Sequence, residues 1–146
     1  MPYTKIHVHL VWSTKNRIKF LHTKEIRPKV WEHIKENAEY KGIYIDHVNG
    51  YSDHCHCLVS LRIDQTVAKV VQMIKGESSF WINKNNICDL RFEWQTEYYA
   101  VSVSESGLEN VRKYIRNQEQ HHFNHTFTDE CDEFDEHYGF DKMKSE

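Results

Sequence analysis

The stretch "IYIDHVNGYSDHCHCLVSLRI", residues 43–63, decides how the rest of the chain is read. β-Branched and aromatic residues crowd both of its ends, and Asn49, Gly50, Ser52 and Asp53 interrupt it with turn chemistry. The pattern predicts a hairpin of two strands, Ile43 to Val48 and His54 to Ile63. Successive side chains of a strand leave on opposite faces, so His54 and His56 share one face while Cys55, Cys57 and Val59 share the other. That alternation excludes a four-ligand zinc site made of the two histidines and two cysteines. The cysteines read as core, where a free thiol behaves as a small hydrophobe. The histidines read either as two polar residues on a solvated sheet face or as an open-sided pair of imidazole ligands in need of a third group.

Upstream, "KIHVHLVWS" alternates Ile6, Val8, Leu10 and Trp12 against His7, His9, Val11 and Ser13, which predicts a first strand. A basic loop, "TKNRIKF", leads to a helix over Lys24 to Lys41 with Ile26, Val30, Ile34 and Ala38 on one face and Gly42 closing it. Downstream of the hairpin, Val67, Val70, Val71 and Ile74 recur at helical spacing behind a Thr66 cap, in a helix expected to reach about Asn83. "EYYAVSVS" is strand-like, and "ESGLENVRKYIRNQEQHHF" reads as one further helix with Leu108, Val111 and Ile115 as its buried stripe. On that helix Tyr114 and Gln118 lie one turn apart at the edge of the stripe, with Arg112, Lys113 and Arg116 opposite. Taken alone, such a tyrosine is more often a core aromatic and such a glutamine a surface residue. The order predicts an α+β fold, a ferredoxin-like or RRM-like β-α-β-β-α-β sheet with helices on one face, followed by a tyrosine-bearing helix and an acidic tail.

The chain has 146 residues, enough for one domain with a core. Its net charge of -3 is uneven: residues 121–146 carry eight acidic and two basic residues, leaving seventeen basic against fourteen acidic in the body. A weakly basic body is compatible with a nucleic-acid partner without demonstrating one. No apolar run is long enough for a membrane helix and the N-terminus lacks a signal-peptide pattern, so a cytoplasmic protein with no membrane partner and with reduced cysteines is expected. His7 and His9, a second His-x-His pair, read as packed or hydrogen-bonded structural residues. The acidic run 129–136 reads as a solvated helix face docked by Phe127, Phe134 and Tyr138.

"DHCHCLVS", "VAKVVQMIKGESSFWIN", "FEWQTEYYAVSVSES", "VRKYIRNQEQHH" and "TFTDE", in this order and spacing, resemble the HUH-type single-tyrosine transposases of small bacterial insertion sequences, the IS200-like family, relatives of the REP-associated tyrosine transposases. The resemblance covers nearly the whole chain. The family motif His-hydrophobic-His falls on His54, Cys55 and His56, with Cys55 standing where Val or Ile is usual. Glu97 stands where relatives often carry Gly. What the resemblance implies is a catalytic domain over 1–122 and an acidic tail, a short helix, over 123–146.

It further implies Tyr114 as the catalytic nucleophile, and Mg²⁺ or Mn²⁺ held by His54, His56 and Gln118. The implied reaction is cleavage and rejoining of single-stranded DNA at insertion-sequence ends through a 5′-phosphotyrosyl intermediate. The implied partner is DNA whose element ends form hairpins, bound by a homodimer whose active sites can be shared between subunits, in a bacterial cytoplasm and on the nucleoid. Lys15, Arg17, Lys19, Lys75 and Lys84, together with Arg112, Lys113 and Arg116, are the DNA-binding candidates. For His121, His122 and His125 no catalytic role is expected. Two other classes stay open: a non-catalytic single-strand-binding module using the same sheet, and a metal-dependent hydrolase without a covalent intermediate.

Overall fold

Four strands carry the architecture: β1 (Ile6–Ser13), β2 (Tyr44–Tyr51), β3 (His54–Leu61) and β4 (Tyr99–Val103). The computed structural model describes residues 2–122 and 126–138, the stretch 134–138 in backbone alone, so Phe134, Tyr138 and His125 of the sequence reading lie outside the described side chains or residues. The sheet order is β2-β3-β1-β4 with every neighbouring pair antiparallel. Helix α1 (Ile26–Tyr40) crosses from β1 to β2 and α2 (Val67–Lys84) from β3 to β4. These are the two interleaved β-α-β units of the predicted ferredoxin-like α+β fold.

Alternation along the strands produces two faces with different fates. Val8, Leu10 and Trp12 of β1 and Cys55, Cys57 and Val59 of β3 pack with Val30, Trp31 and Ile34 of α1 and Val70, Val71 and Ile74 of α2 in the main core. The cysteines are fully buried and free there. The opposite face is covered by the C-terminal helices α3 (Leu108–Arg116), α4 (Gln118–His121) and α5 (Phe127–Tyr138). Leu58 packs with Leu108 and Ile115, and Val11 with Tyr99 and Phe127. Among the described residues no helix is long and apolar enough to cross a membrane.

The hairpin is tighter than the sequence reading placed it. Asn49 and Gly50 stay in the ladder opposite His56 and Cys55, and the turn is Ser52 and Asp53 alone. Gly50 is needed for close approach: a Cβ there would lie 2.2 Å from the His54 carbonyl oxygen and 3.0 Å from the Trp31 ring. Gly50→Ala therefore forces β2 away from β3 beside both histidines. It should lower unfolding stability by about 2–3 kcal/mol, read from urea denaturation.

Expected helix ends are met closely elsewhere. Thr66 accepts the Lys69 amide at the start of α2, and Gly42, at φ +77°, closes α1 in the left-handed region. The predicted single helix after β4 instead breaks at Asn117, where φ −96° and ψ 19° leave the helical well. The orphan carbonyls at that break have a partner, because Asn49 on β2 donates to the backbone oxygens of Ile115 and Arg116 at 2.9 and 3.2 Å.

Candidate metal and tyrosine site

Both histidines of the hairpin are fully buried on the face beneath α3–α5, which removes the solvated-face reading for them. Each ring is held by its far nitrogen. Asp53 lies 2.9 Å from His54 Nδ1, and His9 Nε2 lies 2.9 Å from His56 Nδ1. Partners of this kind fix ring orientation and tautomer, the arrangement that precedes metal ligation by imidazole. Burial, then the neighbouring His56, pushes His9 down to about 3, so it is neutral. His9 is thus a structural support of the site. His7 of the same pair instead contacts Ser60 and Glu105, each at 3.0 Å.

The Nε2 atoms of both site histidines point toward the C-terminal helices. His54 Nε2 is 3.1 Å from Gln118 Oε1. Gln118 is fully buried, and the start of α4 is pinned by a neighbouring ion pair. Arg27 of α1 grips Glu119 through Nε and Nη2 at 2.6 and 2.8 Å while Nη1 donates to the Leu21 carbonyl at 2.8 Å. Helix α3 is fixed by Arg112, which bonds Asp46 through Nε at 3.0 Å and Nη2 at 2.8 Å. Asp46 sits where the β2–β3 register shifts between Ile45 and His47, an irregularity that re-aims a side chain. With α3 so held, the Tyr114 ring meets the His56 ring edge-on, centroids 5.5 Å apart. Tyr114, Gln118 and both histidines thus meet within one chain.

One member of the site was missed in the sequence. Glu130 of α5, taken there as part of a solvated acidic face, is fully buried among the histidines. Its Oε1 lies 3.1 Å from His54 Nε2, 3.0 Å from His56 Nε2 and 3.4 Å from His122 Nε2. Tyr114 donates its hydroxyl to Oε2, and His121 Nε2 stands 3.7 Å from that oxygen. His54, His122 and Glu130 form a buried group whose ligand atoms all lie within 4.8 Å of one another, close enough to hold a metal ion. His121 and His122, given no role from sequence, therefore border the site.

A signal for Glu130 was present. Thr126 and Asp129 exchange side-chain and backbone hydrogen bonds at 3.1 Å, a capping box that starts α5. From that start Phe127 and Cys131 share the docked face, and Glu130, three residues on from Phe127, borders it. The surrounding acidic run concealed it.

Charge follows this geometry. Burial works to raise the Glu130 carboxyl, but His56 and His54 overcome it and hold it down to about 2. Burial works to lower His54, but Asp53 and Glu130 overcome it and hold the ring up to about 9. His56 is lowered, by burial first, despite Glu130. The positive charge that the carboxylates draw onto His54 is what a divalent cation would supply at the same point. Two imidazoles, an amide oxygen and a carboxylate, all shielded from water, are a donor set that fits such an ion.

The basic candidates are distributed. Lys15 pairs with Glu93 at 3.0 Å, Arg17 donates to Thr128 at 2.5 Å, and Lys19 and Lys113 are exposed. Arg116 pairs with Glu109 at 3.2 Å. Lys75 and Lys84 belong to α2 on the far side of the sheet from Tyr114. Lys75 donates to the Thr96 carbonyl at 3.0 Å, and burial pushes its ammonium down to about 8.

Residues 2–118 match the family described as "Transposase IS200 like". The chain belongs to the IS200-like transposase family. It is 24% identical to the ISDra2 transposase TnpA of Deinococcus radiodurans over 119 residues, 78% of this chain and 84% of that protein. A crystal structure from Deinococcus radiodurans R1, described as a transposase, superposes with a TM-score of 0.61 at 23% identity, covering 80% of this chain and 93% of that one. The REP-associated tyrosine transposase bound to a REP hairpin superposes with a TM-score of 0.62 at 17% identity, covering 84% and 72%. These two structures share the fold of this IS200-like chain. The match with the family ends at Gln118, so Glu130 and α5 lie beyond it.

Proposed function

We propose that this IS200-like transposase cleaves and rejoins single-stranded DNA with Tyr114 as nucleophile. The observation that carries the reading is the meeting of the half-buried Tyr114 with the buried His54, His56 and Gln118 on the sheet face covered by α3–α5. His54, His56 and Gln118 would hold Mg²⁺ or Mn²⁺. Such an ion supplies electrophilic polarisation of the scissile phosphate. Asp53 and His9 keep the two imidazoles oriented, and Arg27–Glu119 keeps Gln118 at the histidines.

The Tyr114 oxygen attacks phosphorus as its proton leaves, a 5′-phosphotyrosyl bond forms, and the 3′ oxygen departs and takes up a proton as a hydroxyl. The phosphodiester energy is retained in the tyrosyl ester. A later 3′-hydroxyl attacks that ester, re-forms a phosphodiester and returns the proton to Tyr114, so strands join without ATP. A DNA hairpin is the favoured substrate, by analogy with the relative solved on a REP hairpin. A homodimer serving two element ends is the favoured assembly. Residues 1–122 with α5 form the catalytic unit in this reading.

The test is denaturing electrophoresis of the protein incubated with labelled single strands from the ends flanking its gene. A covalent protein–DNA adduct with Mn²⁺ or Mg²⁺, absent with EDTA, is the expected result. Binding without an adduct under either metal would point to a binding module, and 5′-phosphate product without an adduct to a hydrolase.

A further inference from the structure

We propose that α5 contributes Glu130 as an anionic ligand to the metal held by His54, His56 and Gln118, so that metal binding clamps the C-terminal helix onto the sheet. The inference rests on the metal site of the proposed function and extends it to a segment outside the family match. It begins from convergence. One carboxylate oxygen, Glu130 Oε1, stands 3.0–3.4 Å from the Nε2 atoms of His56, His54 and His122, and His54 Nε2 is also 3.1 Å from Gln118 Oε1. A carboxylate oxygen has two lone pairs to offer, and here three imidazole nitrogens stand within 3.4 Å of one.

The ligand atoms of His54, His122 and Glu130 all lie within 4.8 Å of one another, a spacing that suits a shared ion. Adjacent ligands on an octahedral cation with bonds of about 2.1 Å are about 3.0 Å apart, and on a tetrahedral one about 3.4 Å. Two of the imidazoles are already fixed from behind by Asp53 and His9. The carboxylate is equally constrained. α5 is docked by Phe127, which stacks on the His54 ring at 4.4 Å between centroids, and by Arg17, which bonds Thr128 and lies 5.3 Å over the Phe127 ring. Two histidines and an amide bring no negative charge to a divalent ion, whereas Glu130 brings one, and for hard cations that charge raises affinity.

The test is titration of Mn²⁺ into the full chain by calorimetry, with hydrogen exchange of α5 amides followed with and without the ion. Glu130→Gln, which keeps shape and removes charge, should weaken Mn²⁺ binding by about tenfold or more. In the wild type Mn²⁺ should slow exchange over Phe127–Cys131, and in the variant this slowing should be lost. Thermal melting checks folding. Should Glu130→Gln not fold, Glu130→Asp retains the charge but withdraws it by one methylene, and the same loss of affinity is expected. A variant that binds Mn²⁺ as tightly as wild type, or more tightly, makes Glu130 a plug over the site and overturns the inference. A wild type that binds no Mn²⁺ overturns the metal reading of the proposed function along with it.

Discussion

Tyr114→Phe should abolish the covalent DNA adduct, a fall of about 10⁴-fold or more in strand cleavage, while leaving DNA binding in place. The substitution removes one oxygen. In the resting protein that oxygen donates to Glu130 Oε2, which also has Gln118 Nε2 at 3.4 Å. Losing one donor to a buried carboxylate costs stability, about 1–3 kcal/mol, so the melting temperature should fall by several degrees without loss of the fold. The ring itself is retained, and with it the packing against Leu108 and Ile115 and the edge contact with His56. Activity and stability therefore separate: a large kinetic effect accompanies a modest thermodynamic one. Cleavage that persists in Tyr114→Phe, with 5′-phosphate ends, would replace the nucleophile by water and move the reading to a hydrolase. Denaturing electrophoresis of the same labelled strand distinguishes the two.

What the sequence disclosed about this site follows from which interactions are local. Strand alternation alone set His54 and His56 apart from Cys55 and Cys57, because the face on which a side chain emerges depends only on its parity along the strand. The α+β order was legible for the same reason, each element announcing its own period. The break at Asn117 was not. It coincides with the grip of Asn49 on the last carbonyls of α3, a contact across 66 and 67 residues of chain that leaves no mark on the helical periodicity. Glu130 was hidden by composition. Amid Asp129, Asp132 and Glu133 a carboxylate reads as solvated, and only the capping box and the phase of Phe127 and Cys131 distinguish it. Both departures place residues around Tyr114, where long-range contacts override local pattern.

His56→Ala should remove measurable Mn²⁺ binding, by about 100-fold or more, and with it adduct formation, and raising the metal concentration should not restore activity. His56 sits between two partners: its Nδ1 faces His9 Nε2 at 2.9 Å and its Nε2 faces Glu130 Oε1 at 3.0 Å. Its loss takes a donor from a buried anion and opens space in a packed face, so a stability cost of about 3 kcal/mol accompanies the functional one. A defect from misfolding alone must therefore be separated from a defect in ligation. His9→Ala makes that separation. It removes the support behind His56 without removing a proposed ligand, and its expected effect is a ten- to a hundredfold loss in Mn²⁺ affinity of the kind about typical for such supports. Unlike His56→Ala, it should regain adduct formation at millimolar Mn²⁺. Equal, unrescued loss in both variants would mean that the pair serves packing alone. A graded response, calorimetry and adduct yield moving together, requires His56 to touch the ion and His9 to act through it.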